Sequence, residues 1–131
     1  MSCAEMDGIY MAGQNNRKLG TEKEFIAAAF LEKNGLRILT HSYRKRQGEI
    51  DLVATDGHYL VFVEVKYRNS RNSGDPLAAV SRQKQRRICK MADFYRMEKH
   101  LPSDMPVRYD VVGICKDEII WIQNAFWHIG T

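Results

Sequence analysis

Two runs rich in β-branched and aromatic residues, EIDLVAT (49–55) and HYLVFVEVKY (58–67), flank an Asp56-Gly57 pair. Asp-Gly between such runs is a strong hairpin signal, because a tight connection needs residues that accept positive φ. The chain must therefore build a sheet around this antiparallel pair. In the second run, period-2 alternation puts Val61, Val63 and Val65 on one face and Leu60, Phe62, Glu64 and Lys66 on the other. Both faces are largely apolar, the pattern of a central strand in a sheet covered on both sides. The same rule places Glu49 and Asp51 together, opposite Ile50 and Leu52. A lone carboxylate or lysine buried there costs several kcal/mol unless it is paired or bound to a metal.

The flanking sequence supplies the layers. Residues 1–17 show no periodicity and contain Gly8, Gly13 and QNN, so they read as a loose leader, with a single folded domain over 18–131. GTEKEFIAAAFLEKNG predicts a helix capped by Thr21, with Ile26, Ala27, Phe30 and Leu31 as its apolar stripe and Asn34-Gly35 as its stop. Glu24 stands three residues after Thr21, a spacing that a capping box alone accounts for. LRILTHSYR predicts a first strand, followed by the basic turn KRQG. After the hairpin, RNSRNSGDP is polar and rich in turn formers and reads as a loop. LAAVSRQKQRRICKMADFYRMEKH restores helical spacing through Val80, Lys84, Ile88, Met91 and Tyr95. LPSDMP ends that helix, and VRYDVVGI and EIIWIQ predict two more strands around the turn CKDE. Helix, three strands, helix and two strands make an α/β unit, a mixed central sheet flanked by helices.

Composition excludes several classes. A chain of 131 residues suits one domain with a real core, and no apolar run approaches the roughly 18 residues that span a bilayer. The opening MSCAEMDGIYMAG carries Glu5 and Asp7 and lacks both a basic start and a sustained apolar centre, so it does not resemble a secretory signal. Cytoplasmic residence is the resulting expectation. Cys3, Cys89 and Cys115 form no CxxC, and the four histidines lack zinc-ligand spacing. The net charge of +4 says little by itself, but its distribution says more. Between Arg44 and Lys90 eleven basic residues face five acids (Glu49, Asp51, Asp56, Glu64, Asp75). A basic region that keeps Glu49, Asp51 and Glu64 on predicted strands suits a phosphate-binding surface around a cation site. A solvated basic face explains the same charge without nucleic acid.

Asp51 and Glu64 meet if the hairpin pairs in suitable register, and two carboxylates at one point suit a hard divalent cation such as Mg²⁺. Lys66 follows about 7 Å along the same face as Glu64, where it could offset phosphate charge or orient a water. Cross-strand ion pairing on an exposed face accounts equally well for Glu64 and Lys66 taken alone. Lys84, Arg86 and Arg87 read equally as solvated helix residues, and Asp110 in RYDVV as a partner of Arg108.

GEIDLV, VFVEVKYR, the helix pattern EFIA with FLEKNG, Lys84-Gln85, RYDVV and Asn124-Ala125-Phe126 together resemble the YraN family of small bacterial proteins, from about Arg17 to Phe126. That family is similar to the PD-(D/E)XK, restriction-endonuclease-like superfamily, close to archaeal Holliday-junction resolvases. The resemblance implies a restriction-endonuclease-like core and an acidic site holding Mg²⁺, or Mn²⁺, for phosphodiester hydrolysis. It makes Asp51 the motif aspartate, Glu64 the second acid and Lys66 the motif lysine, with Glu24 completing the metal site and the Val65 carbonyl as an extra ligand. Lys84 falls where the superfamily places a basic or amide residue near the phosphate. Ile50 stands before Asp51 and no proline precedes it, a departure from the superfamily's name motif. Glu49 is either an accessory ligand or a surface residue. The expected partner is DNA, branched or single-stranded, gripped by Arg44, Lys45, Arg46, Arg68, Arg71, Arg82, Lys84 and Arg87, with a two-fold homodimer implied by resolvase-like relatives. A non-catalytic nucleic-acid-binding or protein-interaction module on the same fold is the alternative.

Overall fold

The computed structural model describes residues 16–68, 80–116 and 118–130. Helix α1 (Asn16–Lys33) leads into strands β1 (Arg37–Lys45), β2 (Gly48–Thr55) and β3 (Leu60–Arg68), then helix α2 (Arg82–Glu98) and strands β4 (Val107–Cys115) and β5 (Glu118–Phe126). The five strands form one sheet in the order β1-β2-β3-β4-β5. Only β3 and β4 run parallel, as expected where α2 intervenes, because a parallel pair needs a long crossover. The result is the α/β arrangement read from the sequence, a mixed sheet between helices, consistent with a restriction-endonuclease-like core. The 1–15 part of the expected leader and residues 69–76 of the RNSRNSGDP segment lie outside the described residues.

β3 is the buried spine. Leu60 and Phe62 join Tyr43, Ile50, Tyr109 and Val111 under Ile88, Met91 and Tyr95 of α2. Val61 and Val63 join Leu52, Ala54, Val112 and Ile114 under Ala27, Ala28 and Leu31 of α1. Each large apolar side chain so enclosed contributes about 1.5 to 3 kcal/mol, and the two layers lock the helices that bracket the β2–β3 hairpin.

Local signals explain the ends. Gly35 has φ +98, Leu36 N–H donates to Leu31 C=O at 3.0 Å and Gly35 N–H to Glu32 C=O at 3.3 Å, the paired bonds of a glycine-terminated helix. In the hairpin turn Gly57 has φ +96, and the Asp56 carboxylate accepts His58 N–H at 2.9 Å and Tyr59 N–H at 2.7 Å. Ser81 caps α2, its hydroxyl accepting Lys84 N–H at 3.1 Å. At the C-terminal end Tyr109 Oη lies 2.6 Å from His128 Nδ1 and Ile129 N–H donates to Cys89 Sγ at 3.3 Å, which seats the last residues against β4 and α2.

One expectation fails at α1. The helix starts at Asn16, so Thr21 lies inside it and is not its cap. Gly20 carries a helix penalty of about 1 kcal/mol, but Arg17, Lys18 and Leu19 around it are good helix formers and extend the first turn. Glu24 therefore has no capping box to explain it.

Candidate active-site cleft

The sheet divides at one point. β2 and β3 pair from Thr55↔Leu60 to Leu52↔Val63 and no further. Val65 N–H, which a continuing ladder would give to a backbone carbonyl, donates instead to Asp51 Oδ2 at 2.8 Å. An aspartate side chain thus stands in for backbone where the strands part, and its carboxylate is fixed in the seam of the sheet.

Alternation also breaks at this point. Ile50 packs in the α2 layer and Leu52 in the α1 layer, so the expectation that these two share a face is overturned. The paired strand switches at the same rung. His41↔Leu52 and Tyr43↔Ile50 are partners. His41 packs on Phe25 of α1, with ring centroids 4.9 Å apart and the rings tilted by 35°, while Tyr43 belongs to the α2 layer. Ser42 between them has φ +51, a left-handed conformation that costs a non-glycine residue on the order of 1 to 2 kcal/mol. The regular pleat cannot turn both strands within one rung, and this residue absorbs the difference. Its hydroxyl donates to Glu24 Oε1 across the α1 interface.

Around the fork lies an open cleft of about 280 Å³, lined by Glu24, Glu49, Asp51 and Glu64 together with Lys23, Arg44, Lys66 and Lys84, and by Val65 and Tyr67. Glu24, Asp51 and Glu64 are all buried, at 7%, 8% and 6% exposure, which decides that these are not surface acids. Lys84 of α2 reaches Glu64 Oε1 at 2.9 Å and Lys66 stands 3.6 Å from the same oxygen. Arg44 Nε pairs with Glu49 Oε2 at 2.8 Å, which accounts for Glu49 as a cation partner at the rim.

The electrostatics are those of crowded acids. Burial, and then the charge of Glu64, hold the Asp51 carboxyl well above the usual aspartate range, against the opposing pull of the Val65 amide. Burial raises Glu24 as well, tempered by the Ser42 hydroxyl. Burial and the neighbouring Lys84 lower the Lys66 ammonium. Burial opposes the Lys84 charge, but the Glu64 carboxylate outweighs it and leaves Lys84 raised.

Among the described residues no three His, Cys, Asp or Glu side chains converge as a metal cage. A Mg²⁺ site would not need such a cage, because that ion keeps several waters and takes one or two carboxylates plus substrate phosphate oxygens. Asp51 and Glu64, with Val65 beside them in the cleft, are the residues that could hold one. A cation there would also relieve the repulsion that raises Asp51.

The structure thus brings Asp51, Glu64, Val65, Lys66, Glu24, Lys84 and Arg44 to one cleft. Arg82 and Arg87 are exposed on α2 near Lys84 in sequence, and Arg46 is exposed in the β1–β2 turn. Lys45 is not at the cleft: its ammonium pairs with Glu98 Oε1 at 2.9 Å, at the far end of α2. The Arg68 side chain and Arg71 lie outside the described residues. Asp110 does pair with Arg108, at 2.9 Å, and also accepts Trp121 Nε1–H and Asn124 N–H. It is a structural acid that ties β5 to β4.

Two cleft residues, and Ser42 bonded to a third, have no counterpart in the expectations from sequence. Lys23 is 3% exposed, with its ammonium 3.3 Å from the Tyr67 ring centroid. Its signal was present, since Lys23, Ala27 and Leu31 recur at i, i+4 and i+8 on the buried stripe. Tyr67 follows Lys66 directly and carried no distinguishing pattern. Ser42 gave none either, because serine does not announce positive φ.

No helix among the described residues is long and apolar enough to cross a membrane. The family model described as Uncharacterised protein family UPF0102 matches residues 23–114, a span that contains every described residue of the cleft. A UPF0102 protein of Lachnoclostridium phytofermentans is 48% identical over 117 residues, covering 89% of this chain and 99% of its own length. UPF0102 proteins of Coxiella burnetii and Marinobacter nauticus are 44% and 42% identical, covering 83% and 88% of this chain and 92% and 97% of their own lengths.

Proposed function

The chain belongs to the UPF0102 family, also called YraN, and from the cleft that its matched span encloses we propose that it is a Mg²⁺-dependent nuclease hydrolysing phosphodiester bonds in DNA. One observation carries the reading: Asp51 and Glu64, two buried carboxylates, meet at a break in the sheet with Lys66 and Lys84 beside them. Burying two acids in this way is costly unless something uses their charge.

Each residue then has a task. Asp51 and Glu64 would hold the cation, Asp51 fixed by the Val65 amide and Glu64 by its place on the central strand. When bound there, Mg²⁺ or Mn²⁺ supplies Lewis-acid polarisation of the phosphate and lowers the pKa of a bound water. Lys66, lowered by burial and by Lys84, would orient a water at the phosphate or offset charge on the pentavalent phosphorus. Glu24, held by Ser42, orients water at the periphery. Arg44, Arg46, Arg82 and Arg87 contact backbone phosphates, and such contacts carry no base readout. Recognition of DNA shape, as at branched or single-stranded sites, follows better from this set than recognition of a fixed sequence. The cytoplasm is the compartment that offers such a substrate.

The test is cleavage of branched, nicked and single-stranded DNA with Mg²⁺ or Mn²⁺ by wild type, Asp51→Ala and Lys66→Ala. Metal-dependent cleavage by wild type, reduced by about 10²-fold or more in both variants, is expected. Cleavage that survives both substitutions sinks the proposal. Salt-sensitive DNA binding with no cleavage assigns the chain to the non-catalytic module instead.

A further inference from the structure

We propose that Lys84 gates the metal site: in the free protein its ammonium occupies the Glu64 carboxylate, and nucleic-acid phosphate must draw it away before a divalent cation binds tightly. The gate rests on the nuclease reading above and concerns how that site is regulated.

The Glu64 carboxylate that a cation would need is already engaged through Oε1. Lys84 Nζ lies 2.9 Å and Lys66 Nζ 3.6 Å from it, and the Glu64 side chain is only 7% exposed. A divalent ion bonds carboxylate oxygen at about 2.0 to 2.1 Å. An ammonium in close contact with that carboxylate offsets the charge the ion needs and repels the ion in a medium that screens poorly, so metal binding is weakened while the contact lasts. Tight binding therefore requires the closer ammonium to withdraw.

Lys84 is the one able to do so. Lys66 extends from the central strand with 22% of its side chain exposed, whereas Lys84 is 38% exposed on the first turn of α2, a flexible stem reaching in from the rim. Its neighbours Arg82, Arg86 and Arg87 are exposed on the same turns and would bring a phosphate to it. A phosphate oxygen offers the Lys84 ammonium a replacement for Glu64. Glu64 is then free for the metal, and the two ligands bind with positive cooperativity. The coupling is reciprocal, so metal also tightens DNA binding by the same factor.

Calorimetric titration of Mn²⁺ tests this with wild type, Lys84→Met and Lys90→Met, each alone and with a short DNA duplex of hydrolysis-resistant phosphorothioate backbone. Without DNA, Lys84→Met binds Mn²⁺ about tenfold tighter than wild type, within the usual range of coupling between sites. Lys90→Met removes the same charge from an exposed position on the same helix and binds as wild type does. The duplex tightens Mn²⁺ binding to wild type about tenfold and to Lys84→Met far less. Equal affinity of wild type and Lys84→Met overturns the gate. So does a duplex that leaves wild-type affinity unchanged, a measurement that needs no variant to fold. If Mn²⁺ binds neither protein with or without DNA, the metal site itself falls and the gate with it. Metal-dependent cleavage without any Lys84 effect removes the gate alone.

Discussion

At the scale of residues, Asp51 concentrates the tension of the molecule. It replaces a backbone acceptor for Val65 while burial and Glu64 hold its carboxyl well above the aspartate range. A raised native value means that the folded chain keeps this proton to higher pH than the unfolded chain. Between the two values the native state binds more protons, so metal-free stability falls as pH rises through that window. Asp51→Asn keeps an acceptor for the Val65 amide and removes the charge. It should stabilise the metal-free protein at neutral pH by about 1 kcal/mol and flatten the dependence of Tm on pH, as read by thermal melts from about pH 5 to 8. A melting temperature that drops on this substitution contradicts the account. The same residue marks the limit of sequence reading. Asp51, Glu64 and Lys66 stood out because charge inside apolar strands demands compensation, and Lys23 could have been found by helical spacing. Ser42 could not, since its part depends on a φ that its side chain does not encode.

At the scale of elements, the cleft depends on where α2 begins. Ser81 caps that helix through Lys84 N–H, so the residue that fixes the first turn also fixes the root of the Lys84 side chain. Ser81→Ala should cost about 1 kcal/mol of stability and, beyond that, weaken the Lys84–Glu64 contact. Chemical denaturation measures the first effect. The second is measured by adding Lys84→Met to the Ser81→Ala protein, where it should raise Mn²⁺ affinity less than it does in wild type. The β2–β3 turn was legible because Asp-Gly has a local reason to turn, and Gly57 with φ +96 bears that out. The face switch at Ser42 and Asp51 was not legible. Period-2 alternation presumes a continuous ladder, and the ladder stops at Leu52↔Val63. The start of α1 was misplaced for a related reason: Thr21 is a good local cap, but the preceding residues extend the helix through it.

At the scale of the whole molecule, position sorts the basic residues that composition only counted. Arg82 and Arg87 are exposed at the cleft end of α2, whereas Lys45 is committed to Glu98 at the other end. Arg87→Ala should lower the slope of log K against log salt for DNA binding by about one, while Lys45→Ala leaves it unchanged. Fluorescence anisotropy across a salt series reads both. An equal loss from the two variants would mean that the DNA path does not follow the cleft.

The sheet order also dictates a sequence of events in time. β1, β2 and β3 are neighbours in both chain and sheet, but the β3–β4 pair must wait for the crossover to close, and distant pairings form late because loop closure comes first. Glu24, Asp51 and Glu64 therefore gather while Lys84 is still unattached. Mutual repulsion of those acids should slow that gathering, and refolding should quicken at mildly acidic pH or with added divalent ions in stopped-flow experiments. The arrangement that gives the native cleft its charge would then also set the pace at which the chain completes itself.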